Sequence, residues 1–149
     1  MRALIQRVSR CCVIINSQEV ASINKGMLIL LGIKNGDDES AAEYLAQRCS
    51  ALRIFDDTEG RMNLSFKDVN GKVIVVSQFT LYGDTRKGNR PSYTEAAPPL
   101  VAEPLYDFFV KKLKEILGEQ NVDAGIFRAM MEIELVNDGP VTVTVDSKN

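Results

Sequence analysis

The apolar residues of this chain change their spacing several times, and these changes limit the folds that it can adopt. Residues 2–9 alternate between two faces, and residues 11–15 are rich in strand-forming side chains, which predicts an early hairpin or one bent strand. A short strand is predicted at 19–24. Gly26 then turns the chain into a buried strand at 27–34.

Two segments have the spacing of an amphipathic helix instead. The first follows a turn at 35–38 and is predicted to extend to about residue 55, and the second ends before Gly118. The apolar positions that define them are Ala41, Tyr44, Leu45, Cys49, Leu52 and Ile54 in the first helix, and Leu105, Phe108, Phe109, Leu113, Ile116 and Leu117 in the second.

The remaining segments are predicted to be extended or irregular. In chain order they are a short strand at 62–66, a tight hairpin turn at Asn70-Gly71 into a strand at 72–81, a long loop at 83–97 that is rich in proline and glycine, and two strands at 129–136 and 141–145. The sequence therefore predicts one α+β domain over residues 1–149, with a mostly antiparallel, barrel-like sheet and two main helices packed on it.

Charge and hydropathy exclude several classes of function. The 149 residues include 18 Lys plus Arg and 20 Asp plus Glu, a net charge of −2, which argues against a broad cationic surface for nucleic acid. The longest apolar run, residues 27–31, is far shorter than the roughly 18–20 residues of a membrane-spanning helix, and no signal peptide opens the chain. We therefore expect a soluble, cytoplasmic protein with no membrane partner.

The chain contains no histidine, which excludes Ser-His and Cys-His nucleophile pairs and histidine general bases. Its cysteines, Cys11, Cys12 and Cys49, are predicted to be buried small hydrophobes in a reducing compartment. The acidic runs at 37–39 and 56–57 have the ligand chemistry of Mg²⁺, but turn and helix-cap roles explain them at least as well. We expect neither a metal nor a cofactor.

Two polar segments are harder to explain as structure alone. Ser-Gln-Phe-Thr-Leu-Tyr at 77–82 follows an apolar strand and precedes the long loop, which is where sites are often built. An edge strand with a polar face is the structural alternative. Asn-Asp-Gly-Pro-Val-Thr at 137–142 is either a plain β-turn or a constrained one, since Gly-Pro bonds are among the few that adopt the cis form.

These two segments resemble the signatures of the D-aminoacyl-tRNA deacylases, and they match the D-specific branch better than its paralogues. Arg128 and Met130 depart from the smaller or more polar residues of the family beside Ala129. The likeness covers essentially the whole chain and includes MRALIQRVSR at 1–10, RIFDDTEGRMNLSF at 53–66, RPSY at 90–93, LYDFFV at 105–110 and the spacing of Gly125, Phe127, Ala129 and Met131.

The resemblance implies a homodimer that hydrolyses the ester bond of D-aminoacyl-tRNA at two sites in its interface. Each site is built around residues 77–82 of one subunit, with Ser77, Gln78, Phe79 and Thr80 as its catalytic residues. An aminoacyl ester is already activated, so positioning and oxyanion stabilisation by backbone N–H groups near Phe79 and Thr80 supply much of the catalysis. The resemblance assigns activation of water to the 2′-hydroxyl of the terminal adenosine of the tRNA. Thr80 as a nucleophile is the alternative, but no histidine is present to activate it.

The second motif has a different role in this family. The resemblance implies that the Gly139-Pro140 bond is cis and that the carbonyl oxygens of these two residues enter the site of the other subunit, where they accept the substrate's α-ammonium. An L side chain then collides with those oxygens, whereas a D side chain or glycine does not. The resemblance places Asn137 and Met131 in the same selection and has Arg7 hold the turn. An exposed strand face is the structural alternative for Arg7.

Two other classes of function stay open from the sequence. A metal-dependent hydrolase would use the acidic runs, and a non-catalytic RNA- or DNA-binding dimer would use the basic side chains. The candidate phosphate contacts for tRNA are Arg86, Lys87 and Arg90 in the long loop, and Lys111, Lys112 and Lys114 on the second helix. A solvated charge is the plainer explanation for each of them alone.

Overall fold

A computed structural model describes residues 1–147 and shows a curled sheet with two helices on one face. The main strands are β1 (Arg2–Ile15), β2 (Gln18–Ile23), β3 (Gly26–Gly32), β6 (Lys72–Ser77), β7 (Val122–Ala124) and β8 (Glu132–Asp146), and the helices are α1 (Glu39–Ser50) and α2 (Pro99–Leu117). The short strands β4 (Phe55–Asp56) and β5 (Met62–Leu64) pair with each other outside this sheet.

Strand β1 organises the sheet because it pairs along both of its edges. One edge pairs antiparallel with β3 over residues 2–8 and with β2 over residues 11–15. The other edge pairs antiparallel with β8 along nearly its whole length. Of the two predictions for the start of the chain, the bent strand is therefore correct and the hairpin within residues 2–15 is wrong.

The sheet is mixed, so the prediction of a mostly antiparallel sheet is not confirmed. Strand β6 pairs parallel with β3 and with β7, which makes two of the five described pairings within this sheet parallel. Gly26 allows the close approach of β3 and β6, because a Cβ at this position would overlap the carbonyl oxygen of Lys72. The α+β class and the barrel-like curl of the sheet are confirmed.

Asn70-Gly71 does not form the predicted hairpin. Asn70 has φ 51° and ends a short 3₁₀ turn over Lys67–Val69, and Gly71 then leads directly into β6. A left-handed residue closes a helical turn as readily as it makes a hairpin, so the local sequence does not distinguish the two. The pairing partners of β6 are β3 and β7, both far away in the chain.

The helices cover one face of the sheet and pack against each other. Asp38 caps α1 by accepting a hydrogen bond from the Ala41 N–H at 2.9 Å. This helix ends at Ser50 rather than near residue 55. The prediction was too long because Ile54 is buried and Leu52 is partly buried in the segment after the helix, so the apolar spacing continues past its end. Helix α2 starts at Pro99 and ends at Leu117, before Gly118 as predicted. Its first turn lies within the segment at 83–104 that the prolines marked as irregular in the sequence.

Apolar residues fill both faces of the sheet. The larger core lies under the helices, and a smaller cluster that includes Val8, Cys11 and Ile74 occupies the opposite face. Burial raises the pKa of the Cys11 thiol to about 11 and that of Cys49 to about 12, so both remain protonated, in agreement with their prediction as buried hydrophobes. Cys12 is only half-buried. No helix within residues 1–147 is long and apolar enough to cross a membrane.

Candidate active site

The polar segment after β6 forms a tight structure at the edge of the sheet. The Gln78 N–H donates to the Leu31 carbonyl at 2.7 Å, and a 3₁₀ turn over Phe79–Tyr82 follows at once. The predicted strand at 72–81 therefore stops at Ser77. The Gln78 side-chain amide donates to the Thr80 hydroxyl, which holds the two side chains together.

A cavity of about 620 Å³ lies beside this turn. Its volume suits a small organic ligand or the end of a larger one. Of the predicted site residues, Ser77, Gln78, Phe79 and Met131 line it, whereas Thr80 does not. The other lining residues are Leu31, Ile33, Val76, Tyr93, Ala96, Ala97, Pro99, Ala102, Phe127, Arg128, Ala129, Met130 and Ile133.

The long loop before α2 contributes an aromatic side chain that the sequence reasoning did not assign to the site. The rings of Phe79 and Tyr93 meet edge to face, with centroids 5.1 Å apart, and both rings are partly exposed at the cavity. Exposed aromatic faces of this kind can stack on a nucleobase. The motif RPSY at 90–93 was the available signal for Tyr93, but its position in a loop gave no hint of proximity to Phe79.

One wall of the cavity is a connection between β7 and β8, which we call the strap (Gly125–Met131). The buried Tyr106 hydroxyl on α2 donates to the Val75 carbonyl at 2.9 Å and to the Gly125 carbonyl at 3.2 Å. Burial raises the pKa of Tyr106, which keeps this hydroxyl a donor. A Cβ on Gly125 would lie 2.7 Å from the Met131 sulfur, so glycine allows Met131 to fold back over the strap.

The second motif forms an outward bulge in the pairing of β1 with β8. Gln6 pairs with Thr142 and Val8 with Asn137, so residues 138–141 all lie opposite the single residue Arg7. The Gly139-Pro140 bond is cis, and Gly139 has φ 123°. Asn137 braces the bulge, since its side chain accepts from the Val141 N–H at 2.9 Å and donates to the Thr142 hydroxyl at 3.0 Å.

The bulge does not contribute to the cavity of its own chain. Gly139 and Pro140 are exposed, and none of residues 137–140 lines the cavity. The structure of the single chain therefore does not bring the two motifs together.

Arg7 fills the gap that the bulge leaves in the ladder. Its side chain is 6% exposed, so the alternative of an exposed strand face is wrong. The guanidinium donates to the carbonyl oxygens of Asp138 at 3.1 Å and Ile54 at 2.9 Å. It also pairs with the carboxylates of Asp56 at 3.1 Å and Asp138 at 3.2 Å. A planar fork with five donors suits this set of four acceptors.

The acidic runs serve the fold. Asp37 accepts from the Met1 ammonium at 2.7 Å and from the Lys34 N–H at 2.7 Å. Asp57 closes a turn by accepting from the N–H groups of Glu59 and Arg61, each at 2.9 Å. Within residues 1–147, no group of three or more acidic or cysteine side chains is arranged to hold a metal ion.

The six candidate phosphate contacts lie outside the cavity. Arg86 pairs with Asp84 at 2.8 Å, and its hydrogen bonds lower the pKa of that carboxyl to about 2. Lys112 and Lys114 also have acidic partners on the helix surface. Lys87, Arg90 and Lys111 are surface residues, and the structure brings none of the six to the site.

Fold and site together define an α+β protein with an apolar ligand cavity and a separate, rigid backbone bulge. A sequence profile of the D-Tyr-tRNA(Tyr) deacylase family matches residues 4–146. The proteins named D-aminoacyl-tRNA deacylase from Thermotoga petrophila and Flavobacterium psychrophilum are 53% and 52% identical over 147 and 149 residues. These alignments cover 99% of this chain and 97% of the first relative, and 100% of this chain and 99% of the second.

Solved structures agree with this likeness. The c-Myc DNA Unwinding Element Binding Protein superimposes with a TM-score of 0.95 at 33% identity, covering all of both chains. A probable eukaryotic D-amino acid tRNA deacylase has the same fold, with a TM-score of 0.82, 17% identity and coverage of 97% of this chain and 98% of the other. The chain therefore belongs to the D-Tyr-tRNA(Tyr) deacylase family, a family of enzymes that hydrolyse an ester bond. The predictions of this family and of an enzyme are confirmed.

Replacing Arg7 should destabilise the protein much more than the matched change in the same strand. Arg7→Met removes the donor from the buried Ile54 carbonyl and from the Asp138 carbonyl, and an unsatisfied group costs about 1–3 kcal/mol. We expect the free energy of unfolding to fall by about 2–3 kcal/mol in urea denaturation. Arg2→Met should cost less than about 1 kcal/mol, because the Arg2–Asp146 pair is exposed. Equal losses for the two variants would contradict the bracing role of Arg7.

Proposed function

We propose that this protein hydrolyses the ester bond of D-aminoacyl-tRNA and releases the free D-amino acid and tRNA. It would act as a homodimer in the cytoplasm, with residues 1–149 as a single deacylase domain and with no metal or cofactor. The observation that carries this proposal is the apolar cavity beside Gln78 and the Phe79–Tyr82 turn, in a chain that belongs to the deacylase family. A volume of about 620 Å³ is sufficient for an aminoacyl group.

The chemistry of the lining favours catalysis by position rather than by a protein base. Among the described residues that line the cavity, none is a carboxylate, a cysteine or a lysine, and the chain has no histidine. Ser77 and Gln78 would hold the ester end of the substrate. The N–H groups of Phe79 and Thr80 open a 3₁₀ turn, where N–H groups lack acceptors within the turn, and we assign them to the developing oxyanion.

Activation of the water is assigned to the 2′-hydroxyl of the terminal adenosine. Water attacks the ester carbonyl carbon, the bond to the ribose 3′-oxygen breaks, and that oxygen takes up a proton as the amino acid leaves. Thr80 is a poor candidate for this role, since its hydroxyl accepts the hydrogen bond from the Gln78 amide and no base adjoins it. An unassisted threonine hydroxyl is a weak nucleophile.

Chiral selection is assigned to the bulge of a second subunit. In one chain the Gly139-Pro140 carbonyls lie at an exposed bulge away from the cavity, so a second copy is needed to place them in a site. There they would accept the α-ammonium and exclude an L side chain, with Met131 on the facing wall. Arg7 and Asn137 fix the bulge, and a rigid backbone excludes one enantiomer without reading a particular side chain.

The direct test compares D-Tyr-tRNA, L-Tyr-tRNA and Gly-tRNA as substrates of the purified protein, with and without EDTA. We expect release of D-Tyr and Gly at least about 100-fold faster than release of L-Tyr, since a clash of about 3 kcal/mol is sufficient for that ratio. EDTA should leave the rates unchanged. Binding of all three RNAs without release would indicate a non-catalytic RNA-binding protein, and loss of activity in EDTA would indicate a metal-dependent hydrolase.

A second experiment removes the proposed general base from the RNA. D-Tyr-tRNA that ends in 2′-deoxyadenosine should bind with a similar KM but turn over at least about 100-fold more slowly, because general acid–base catalysis typically contributes 10²–10⁴. Single-turnover rates measure the effect. Thr80→Ala is the protein counterpart, and its rate should fall by no more than about tenfold, since the backbone N–H remains. The reverse order of effects would make Thr80 the nucleophile.

Mixing two inactive variants tests the shared site. Gly139→Ala places a Cβ 2.8 Å from a Val141 methyl and 3.0 Å from the Arg7 guanidinium at a φ of 123°, so it should distort the bulge. Gln78→Ala removes a side chain that lines the cavity, so it should impair the other half of the shared site. In a heterodimer with shared sites one site carries both defects and the other carries none, so a random equimolar mixture should regain about a quarter of wild-type activity.

The control is each variant mixed with itself, which should show no recovery. Circular dichroism and sedimentation confirm that both variants fold and dimerise. If the bulge served the cavity of its own chain, every site would carry one defect and mixing would restore nothing.

A further inference from the structure

Arg128 is the one charged residue among the described residues that line the cavity. It lies on the strap, its side chain is exposed, and no ion pair or hydrogen bond engages its guanidinium within residues 1–147. The arginines elsewhere that we have described, Arg2, Arg7 and Arg86, all have carboxylate partners. An unpaired guanidinium at the mouth of an otherwise uncharged cavity is therefore available for a ligand.

The backbone at Arg128 is also unusual. Its φ is 65°, a left-handed conformation that L residues adopt rarely and glycine adopts readily. Strained conformations of this kind tend to occur at functional sites, where the surrounding structure enforces them. Here an arginine occupies a position that glycine would fit better, which indicates that the side chain itself has a use.

The strap holds Arg128 in a fixed place. The Ala129 N–H donates to the Ile126 carbonyl at 3.2 Å and closes a turn around Arg128, and the Gly125 N–H donates to the Val75 carbonyl at 2.9 Å. Phe127 packs on Tyr106, with ring centroids 5.8 Å apart. The guanidinium therefore extends from an anchored turn rather than from a loose loop.

We propose that Arg128 binds a backbone phosphate of the substrate RNA where the acceptor end enters the cavity. This inference rests on the proposed function. In an aminoacyl ester the carboxyl group is esterified and the amino group is cationic, so the phosphates are the anionic groups that the substrate presents. The RNA must pass the mouth of the cavity when its ester end lies beside Gln78. Arginine is suited to phosphate because its fork donates two parallel hydrogen bonds.

Because the protein has little overall attraction for RNA, a single phosphate contact should have a measurable effect on binding. A net charge of −2 provides little general attraction for RNA, and the six other basic candidates lie outside the cavity. Arg128 would therefore set the position of the nucleotide nearest the ester. Because this contact is made equally in the ground state and in the transition state, it should act on KM rather than on kcat.

The test uses two non-hydrolysable analogues, 3′-(D-tyrosylamino)-3′-deoxyadenosine with and without a 5′-phosphate. Their dissociation constants are measured by calorimetry for the wild type, Arg128→Gln, Arg128→Lys and Arg128→Gly. Arg128→Gln and Arg128→Gly should weaken binding of the phosphorylated analogue about tenfold, as expected for loss of a charged hydrogen bond, and leave the other within about twofold. Arg128→Lys should give an intermediate affinity, because lysine keeps the charge but cannot donate the two parallel hydrogen bonds. Glycine suits the left-handed backbone, so Arg128→Gly keeps the test valid if glutamine impairs folding.

The intact RNA provides an independent measurement. The slope of log KM for D-Tyr-tRNA against log salt concentration should fall by about 0.7 in Arg128→Gln, the value for one phosphate contact on a single strand, while kcat stays within about twofold. Arg61→Gln is the matched control, because it removes the same charge from an exposed arginine that pairs with Glu59 and does not line the cavity. It should leave both the slope and KM unchanged.

The outcomes separate this inference from the function on which it rests. Equal weakening of both analogues, or no weakening of either, would overturn the phosphate contact while the wild type still released D-Tyr. Failure of the wild type to hydrolyse D-Tyr-tRNA would overturn the proposed function, and this inference with it.

Discussion

The interruption of the β1–β8 ladder at Arg7 is the constraint on which the second motif depends. An antiparallel pair tolerates an extra residue as a bulge, but four residues opposite one leave several backbone groups without ladder partners. Arg7 donates to one of these groups, the Asp138 carbonyl, and the Asn137 side chain accepts from another, the Val141 N–H. The Arg7 charge is itself buried against two carbonyl oxygens and two carboxylates. Any displacement of the bulge would break hydrogen bonds to a buried cation, which favours the observed arrangement. An apolar residue at this position would pack in the strand but leave the bulge unsupported.

The cavity depends on a second, independent feature of the sheet, the parallel pairing of β3 with β6. The parallel register of β3 and β6 places Ser77 beside Leu31, so that the turn after β6 begins where the sheet edge meets the strap and the start of α2. Parallel neighbours end at the same edge, and ligand sites in many sheets lie at such edges for this reason. The bulge and the cavity thus arise from different pairings of the same sheet, and the fold of one chain keeps them apart. Two copies of the chain are the simplest way to join them.

Local sequence patterns predicted elements well and pairing poorly. The alternation in β1, the apolar stripe of α2 and the long loop all follow from neighbours in the chain, and each was predicted. The parallel partner of β6 was missed because Asn70-Gly71 satisfies a hairpin and a helical turn equally. The end of α1 was misplaced because Leu52 and Ile54 face the core from either conformation. For the site, the two polar motifs were visible in the sequence, whereas Tyr93 and the strap reach the cavity only through long-range packing.

The distribution of charge around the cavity explains how such a site can work without a histidine. The proposed substrate carries a cationic ammonium and anionic phosphates only a few bonds apart. A charged side chain on the lining would therefore attract one of these groups and repel the other. A neutral lining avoids opposing either group, and fixed backbone dipoles can then act on the ester without reorganisation. A single guanidinium at the mouth is compatible with this arrangement, because in the proposed complex it would meet the RNA backbone and stay apart from the bulge carbonyls that hold the ammonium. Separation of the two proposed charged contacts along the substrate would orient it, so that recognition by a protein with a slight negative charge would depend on position rather than on general attraction.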